Sequence, residues 1–207
     1  MESIKRHKKG ICVALGIIVV LFICYLIGQN VVLPKRMRSA GYTDVDGNVP
    51  EYSIMENINT FSFGGQEEMD DVPGGQTISV LELNQDSNVS EDMYGKYIFM
   101  TPGTSFANRI TLNKKCETLS FMYGIHPWID KEVSDGIQIV VEVYTTEGDK
   151  PNIREKFDAK VGEKMKLANV DLSSVAGEKV TIGISCTAGE NDDESGDWAI
   201  ICYPVIE

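Results

Sequence analysis

The chain has 207 residues, with 31 Asp and Glu against 19 Lys and Arg, a formal net charge of −12. The imbalance deepens beyond Ala40, where thirty acidic residues face twelve basic ones. Such a surface repels phosphate backbones and anionic headgroups, which argues against nucleic-acid binding and against a domain lying flat on a membrane.

Residues 1–10 are a basic segment with Lys5, Arg6, Lys8 and Lys9. Residues 11–28 follow without a single charge. As a helix they would be ~27 Å long, close to the hydrocarbon thickness of a bilayer. Val31, Val32 and Leu33 extend the run, so residues 11–33 are expected to be a transmembrane signal anchor. A cleaved signal peptide has a shorter apolar region ending at a small-x-small site. Here cleavage after Gly28 would set Leu26 where a small residue belongs. Lys35, Arg36 and Arg38 follow the run, so the positive-inside contrast is narrow, four against three. It favours a cytoplasmic N-terminus. The expected topology is a single-pass protein of the cytoplasmic membrane with its C-terminal domain extracellular.

Residues 34–75 read as an acidic stalk or lead-in. Asp46-Gly47, Gly64-Gly65 and Pro73-Gly74-Gly75 are turn signals. Phe61 and Phe63 alternate with polar residues, so part of the lead-in can add a strand.

From residue 76 to 207 the pattern is one of short strands. Ile137, Ile139, Val141 and Val143 alternate with Gln138, Val140, Glu142 and Tyr144. Leu119, Phe121, Tyr123 and Ile125 alternate in the same way, as do Val180, Ile182, Ile184 and Cys186. Period-two alternation marks an antiparallel sheet with one buried face. Further strands are expected at 77–83, 97–101, 108–112, 153–160, 166–172 and 198–206. No segment past the apolar run has helical periodicity. About nine such strands predict an all-β antiparallel sandwich or jelly roll. Ile139, Val141, Ile182, Ile184, Phe121 and Trp198 are expected to share one interior between two sheets. Ser134-Asp135-Gly136 reads as the turn that launches the 137 strand, with Asp135 bonding its own backbone.

Cys12 and Cys24 fall in the apolar run; Cys116, Cys186 and Cys202 lie beyond it. No close pair has zinc spacing. The odd outer count leaves one bridge or three buried thiols open.

The order of short motifs carries a resemblance. Leu119-Ser120-Phe121-Met122-Tyr123-Gly124-Ile125 and Ser134-Asp135-Gly136-Ile137 come first. Asp171-Leu172-Ser173, Ala176-Gly177-Glu178-Lys179-Val180-Thr181-Ile182, Gly196-Asp197-Trp198-Ala199 and Pro204-Val205-Ile206 follow. Over about residues 94–207 this resembles the jelly-roll carbohydrate-binding modules found beside some bacterial glycoside hydrolases. The resemblance implies a sandwich fold and, as one role among several that such folds host, glycan binding.

Trp128 stands in His126-Pro127-Trp128-Ile129-Asp130, between two strands. A loop indole can stack on a sugar face while His126 and Asp130 fix hydroxyls; the same indole can fold back as a lid on the core. Trp198 reads as core by its parity. The run from Glu190 to Asp197 has oxygen ligands for calcium, and similar modules hold a structural calcium. It lacks the helix-flanked loop pattern and is expected to be a solvated hairpin tip.

No nucleophile elbow, phosphate loop or zinc-protease motif is present, and no enzyme activity or cofactor is expected. Cys116 and His126 bracket a strand and lie about 30 Å apart if it is straight. The expected function is a non-catalytic, membrane-anchored module that binds a glycan or cell-envelope polymer. The alternative is a structural or protein-interaction component of the bacterial cell envelope.

Overall fold

In the computed structural model the described residues are 18–24, 50–82, 95–130, 133–145, 150–189 and 193–207. Eleven strands among them pair into two antiparallel sheets. In chain order they are β1 (Tyr52–Ser53), β2 (Ser62–Gly64), β3 (Ile78–Glu82), β4 (Lys96–Met100), β5 (Ser105–Thr111) and β6 (Thr118–Ile125). The remainder are β7 (Ile137–Thr145), β8 (Ile153–Ala159), β9 (Lys166–Asp171), β10 (Lys179–Ala188) and β11 (Ala199–Ile206). The first sheet runs β3-β4-β11-β6-β9, with β1 also on β11; the second runs β2-β5-β10-β7-β8.

The alternation in the sequence sets the interior. Ile137, Ile139, Val141 and Val143 from β7 meet Val180, Ile182, Ile184 and Cys186 from β10, with Leu119 and Phe121 from the opposite sheet. Register holds them there: a slip of one residue would turn every one of these side chains to water. Ile182 faces Val143 and Ile184 faces Val141 across the β10–β7 ladder.

The expected all-β sandwich is observed, with two differences. The sheets take in more chain than residues 76–207. Ile54, Met55, Ile58 and Phe61 are buried in the interior, β2 pairs with β5, and β1 pairs with the end of β11. Residues 50–75 are therefore part of the sandwich and not a stalk outside it; apolar residues spaced through this acidic segment carry it inward.

The second difference concerns Trp198. It shares parity with Ile200 and Cys202, as expected, but that parity points away from the interior. Ala199 and Ile201 fill the interior. Trp198 packs on a second apolar layer made by Val72, Tyr97, Phe99, Ile200 and Cys202 on the outer face of the first sheet. Both faces of this sheet are covered, because the lead-in segment at Val72 lies over its outside. A bulge lies between Cys202 and Val205. Tyr203 has φ 53° there. The extra residue switches parity, so Ile206 returns to the interior.

Cys186 and Cys202 lie in different sheets and different apolar layers. Cys116, Cys186 and Cys202 are free, buried thiols. The basic segment, most of the 11–33 run and residues 34–49 lie outside the described residues. Within the run, residues 18–24 are helical, with exposed apolar side chains from Ile18 to Ile23. Among the described residues no helix is long and apolar enough to cross a membrane.

Candidate functional site

β6 ends at Ile125 and delivers His126 to the edge of the outer apolar layer. Its backbone N–H donates to the Trp198 carbonyl at 2.7 Å, and its carbonyl accepts the Ile129 N–H at 3.0 Å. Its Nδ1 accepts the Trp128 N–H at 3.3 Å. The His126 ring is 1 % exposed. It meets Trp128 edge to face, with centroids 5.1 Å apart and planes at 78°. It meets Phe99 at 6.0 Å and 84°, and Trp198 at 6.2 Å and 68°. Tyr97 lies 6.2 Å away on a tilted plane. Rings prefer such edge contacts because the rim of one π-system is positive and the face of the next is negative.

His126 is thus the hub between the two indoles and is buried beneath them, not displayed to a ligand. Trp128 stands 47 % exposed. Asp130 is exposed, and its carbonyl accepts the Val133 N–H at 3.1 Å. Of the three residues singled out in the sequence, Trp128 and Asp130 reach solvent, and His126 positions Trp128.

A cleft of about 820 Å³ opens beside this hub, between the 65–77 segment, the β4–β5 turn and the 193–198 segment. Trp198 forms part of its wall, and Glu67, Asp193 and Glu194 bring carboxylates to it. Trp128 does not line it. Gly65 makes the narrow side possible. A Cβ there would stand 2.6 Å from the Gly103 carbonyl oxygen, and φ is +72°. Two threonine hydroxyls at the cleft are committed within the protein. Thr77 Oγ1 donates to the Gly65 carbonyl at 2.7 Å and accepts the Glu67 N–H at 2.9 Å. Thr104 Oγ1 donates to the Thr101 carbonyl at 2.6 Å. Hydrogen bonds from the Ser195 hydroxyl and N–H hold the Asp193 carboxyl below the usual carboxylate range. None of the lining residues is Lys, Arg or His.

Asp197 fixes the root of this segment. It is fully buried and accepts the Ser134 hydroxyl and, at 3.1 Å, the Gly189 N–H. Burial pushes its carboxyl above the usual range, against the pull of Ser134 and the Gly189 and Gly136 amides, and the neighbouring Asp135 charge adds to the rise. The Gly136 N–H donates to Ser134 Oγ at 3.2 Å. The turn before β7 is closed by Ser134 in the place expected for Asp135. Among the described residues no group of three His, Cys, Asp or Glu side chains is placed to hold a metal ion.

No protein-family model and no curated protein matches this sequence. Solved structures do. The second carbohydrate-binding module of family CBM51 and the INT domains of Clostridium perfringens ZmpB, solved with GlcNAc, superpose with a TM-score of 0.50 at 15 % identity. The match covers 79 % of this chain and 35 % of that longer one. The fold is a carbohydrate-binding-module-like β-sandwich. A CBM61 module solved with β-1,4-galactotriose matches at a TM-score of 0.48 and 12 % identity, over 83 % of this chain and 92 % of its own. The CBM51 of Clostridium perfringens GH95, solved with methyl-galactose, matches at 0.44 and 17 %, over 75 % and 99 %. The likeness of this carbohydrate-binding-module-like sandwich to these proteins is one of architecture. The aromatic hub and the acidic cleft are read from this chain's own residues.

Of the cleft residues, Glu67 is not singled out in the sequence and Trp198 is assigned to the interior. Glu67 sits in the segment that reads as a stalk. Trp198 reads as core because strand parity does not tell which of two apolar faces is the interior.

Proposed function

We propose that this protein is a membrane-anchored, non-catalytic module that binds a glycan or cell-envelope polymer outside the cytoplasmic membrane. The observation that carries the reading is the aromatic hub: two indoles braced by one buried imidazole, one indole exposed and the other on a cleft wall. Indole faces stack on the C–H faces of sugars, and a braced ring gives up little freedom when it does so. The sandwich fold supports the reading, as do neighbours solved with GlcNAc and galactose ligands. The uncharged 11–28 run supports the anchor.

The purified full chain in mild detergent, applied to a glycan array, is expected to retain a restricted set of glycans. Trp128→Ala and Trp198→Phe are each expected to weaken retention at least tenfold. Absence of binding to every glycan rejects the reading. A specific protein cross-linked at the Trp128 loop in its place moves the protein to the interaction class. For topology, protease added to intact cells is expected to digest residues 50–207; protection of that portion reverses the orientation.

A further inference from the structure

We infer that the outer face of the second sheet is a further binding surface, and that it takes a glycan carrying uronic acids. This face lies on the other sheet from the aromatic hub and is a second site, beyond the reading above. The ladders set its composition. Phe106, Val141, Ile182 and Phe157 turn to the interior, so the alternate positions of their strands face out. That parity brings Arg109 of β5, Lys179 of β10, and Arg154 and Lys156 of β8 to the outer face. Only Glu142 of β7 and Asp158 of β8 oppose them there, since Glu155 has the other parity. One face of a chain with net charge −12 is therefore basic. The lead-in segment covers the outer face of the first sheet, but among the described residues no apolar layer lies over this one.

The two carboxylates on this face are already engaged. Glu142 accepts the Arg154 Nε–H at 3.0 Å and the Tyr144 hydroxyl at 2.9 Å. Asp158 accepts the Gln138 amide at 2.8 Å. Arg154 is bonded through Nε, so the end of its fork, the two terminal NH2 groups, remains for a second carboxylate in the bidentate geometry that a guanidinium favours. Arg109 and Lys156 make no ion pair among the described residues. The strands of Arg109 and Arg154 lie three ladder steps apart, about 14 Å. Ala107, Thr181, Gly183 and Tyr144 stand between them. Such a span offers hydroxyls, a low floor and one phenol ring. Cations set that far apart match negative charges spaced along a chain of sugar rings, whose C–H faces can lie on Tyr144. A phosphate polymer brings denser charge and no apolar face for the phenol.

The test is calorimetric titration of the full chain in mild detergent at neutral pH. The probes are a galacturonate hexamer, the same hexamer fully methyl-esterified, a linear hexaphosphate and a hexaglutamate peptide. The galacturonate hexamer is expected to bind at least tenfold tighter than each of the others. Arg109→Gln with Arg154→Gln is expected to weaken it at least tenfold. Lys114→Gln with Lys164→Gln removes the same charge from exposed positions away from this face, and is expected to leave binding intact. Equal binding of the methyl ester overturns the inference, because charge would then select nothing. Equal losses in the two double variants also overturn it. Tighter binding of hexaglutamate or of hexaphosphate overturns the uronate assignment in favour of an acidic peptide or a phosphate polymer. Failure of the galacturonate hexamer to bind rejects this surface and leaves the aromatic hub to be judged by the glycan array alone.

Discussion

Trp128 and Ile184 separate display from packing at the scale of single side chains. Ile184 lies wholly within the interior, so Ile184→Ala leaves a cavity and is expected to cost ~2–5 kcal/mol. Trp128 is half exposed and loses one edge contact with His126, a contact worth about 0.5–1.5 kcal/mol beyond buried area. Thermal melts of the two variants decide between a displayed ring and a lid; equal losses make Trp128 a lid. Asp197 gives a pH-dependent counterpart. Its folded carboxyl titrates above the unfolded value because burial disfavours its charge. Between the two values the folded state keeps a proton that the unfolded chain has lost. Stability is therefore highest at the acid end of that window and falls as pH rises through the folded value. Asp197→Asn is expected to flatten this slope, read from melts across the window. Asp197→Ala orphans the Ser134 hydroxyl and the Gly189 amide, at a cost of about 1–3 kcal/mol.

At the scale of elements, the strands were legible where one face is wet. β10 alternates cleanly, and β7 does so except at Val140, which is buried although the pattern puts it on the other face. β4 and β11 are buried on nearly every residue. There the period locates a strand but not its inward face, which is why Trp198 reads as core. The two-residue β1 is too short to leave a pattern. Residues 50–75 read as a stalk because acidic residues and turn signals outnumber the few apolar anchors among them. Ile54→Ala tests that segment. A buried Ile54 is expected to cost ~2–5 kcal/mol, whereas a residue on a solvated stalk would cost within about 0.5 kcal/mol. The candidate site was half legible: Trp128 could be picked out as a loop indole, but the cleft is assembled from three segments far apart in sequence, and no local spacing announces it.

For the whole molecule, the three thiols of the sandwich give a global probe, apart from the exposed Cys24. Burial pushes Cys116, Cys186 and Cys202 above the ordinary thiol range, and all three sit inside apolar layers. They are expected to resist a thiol reagent under native conditions and to react together on unfolding; early labelling of one alone would reveal a local opening. The same architecture sets a direction through the molecule. β11 begins beside the cleft at Ala199 and ends at Ile206, where Tyr52 of β1 pairs with it. Seven steps of ~3.3 Å along its eight residues separate the two poles by about 23 Å. A load applied between residue 50 and the cleft would therefore pull on opposite ends of one strand. The ladders from β11 to β4 and β6 lie across that pull, so their hydrogen bonds would be sheared side by side instead of peeled one at a time. In single-molecule stretching, a load between residue 50 and Trp198 is then expected to meet higher resistance than one that lifts β3 from the sheet edge.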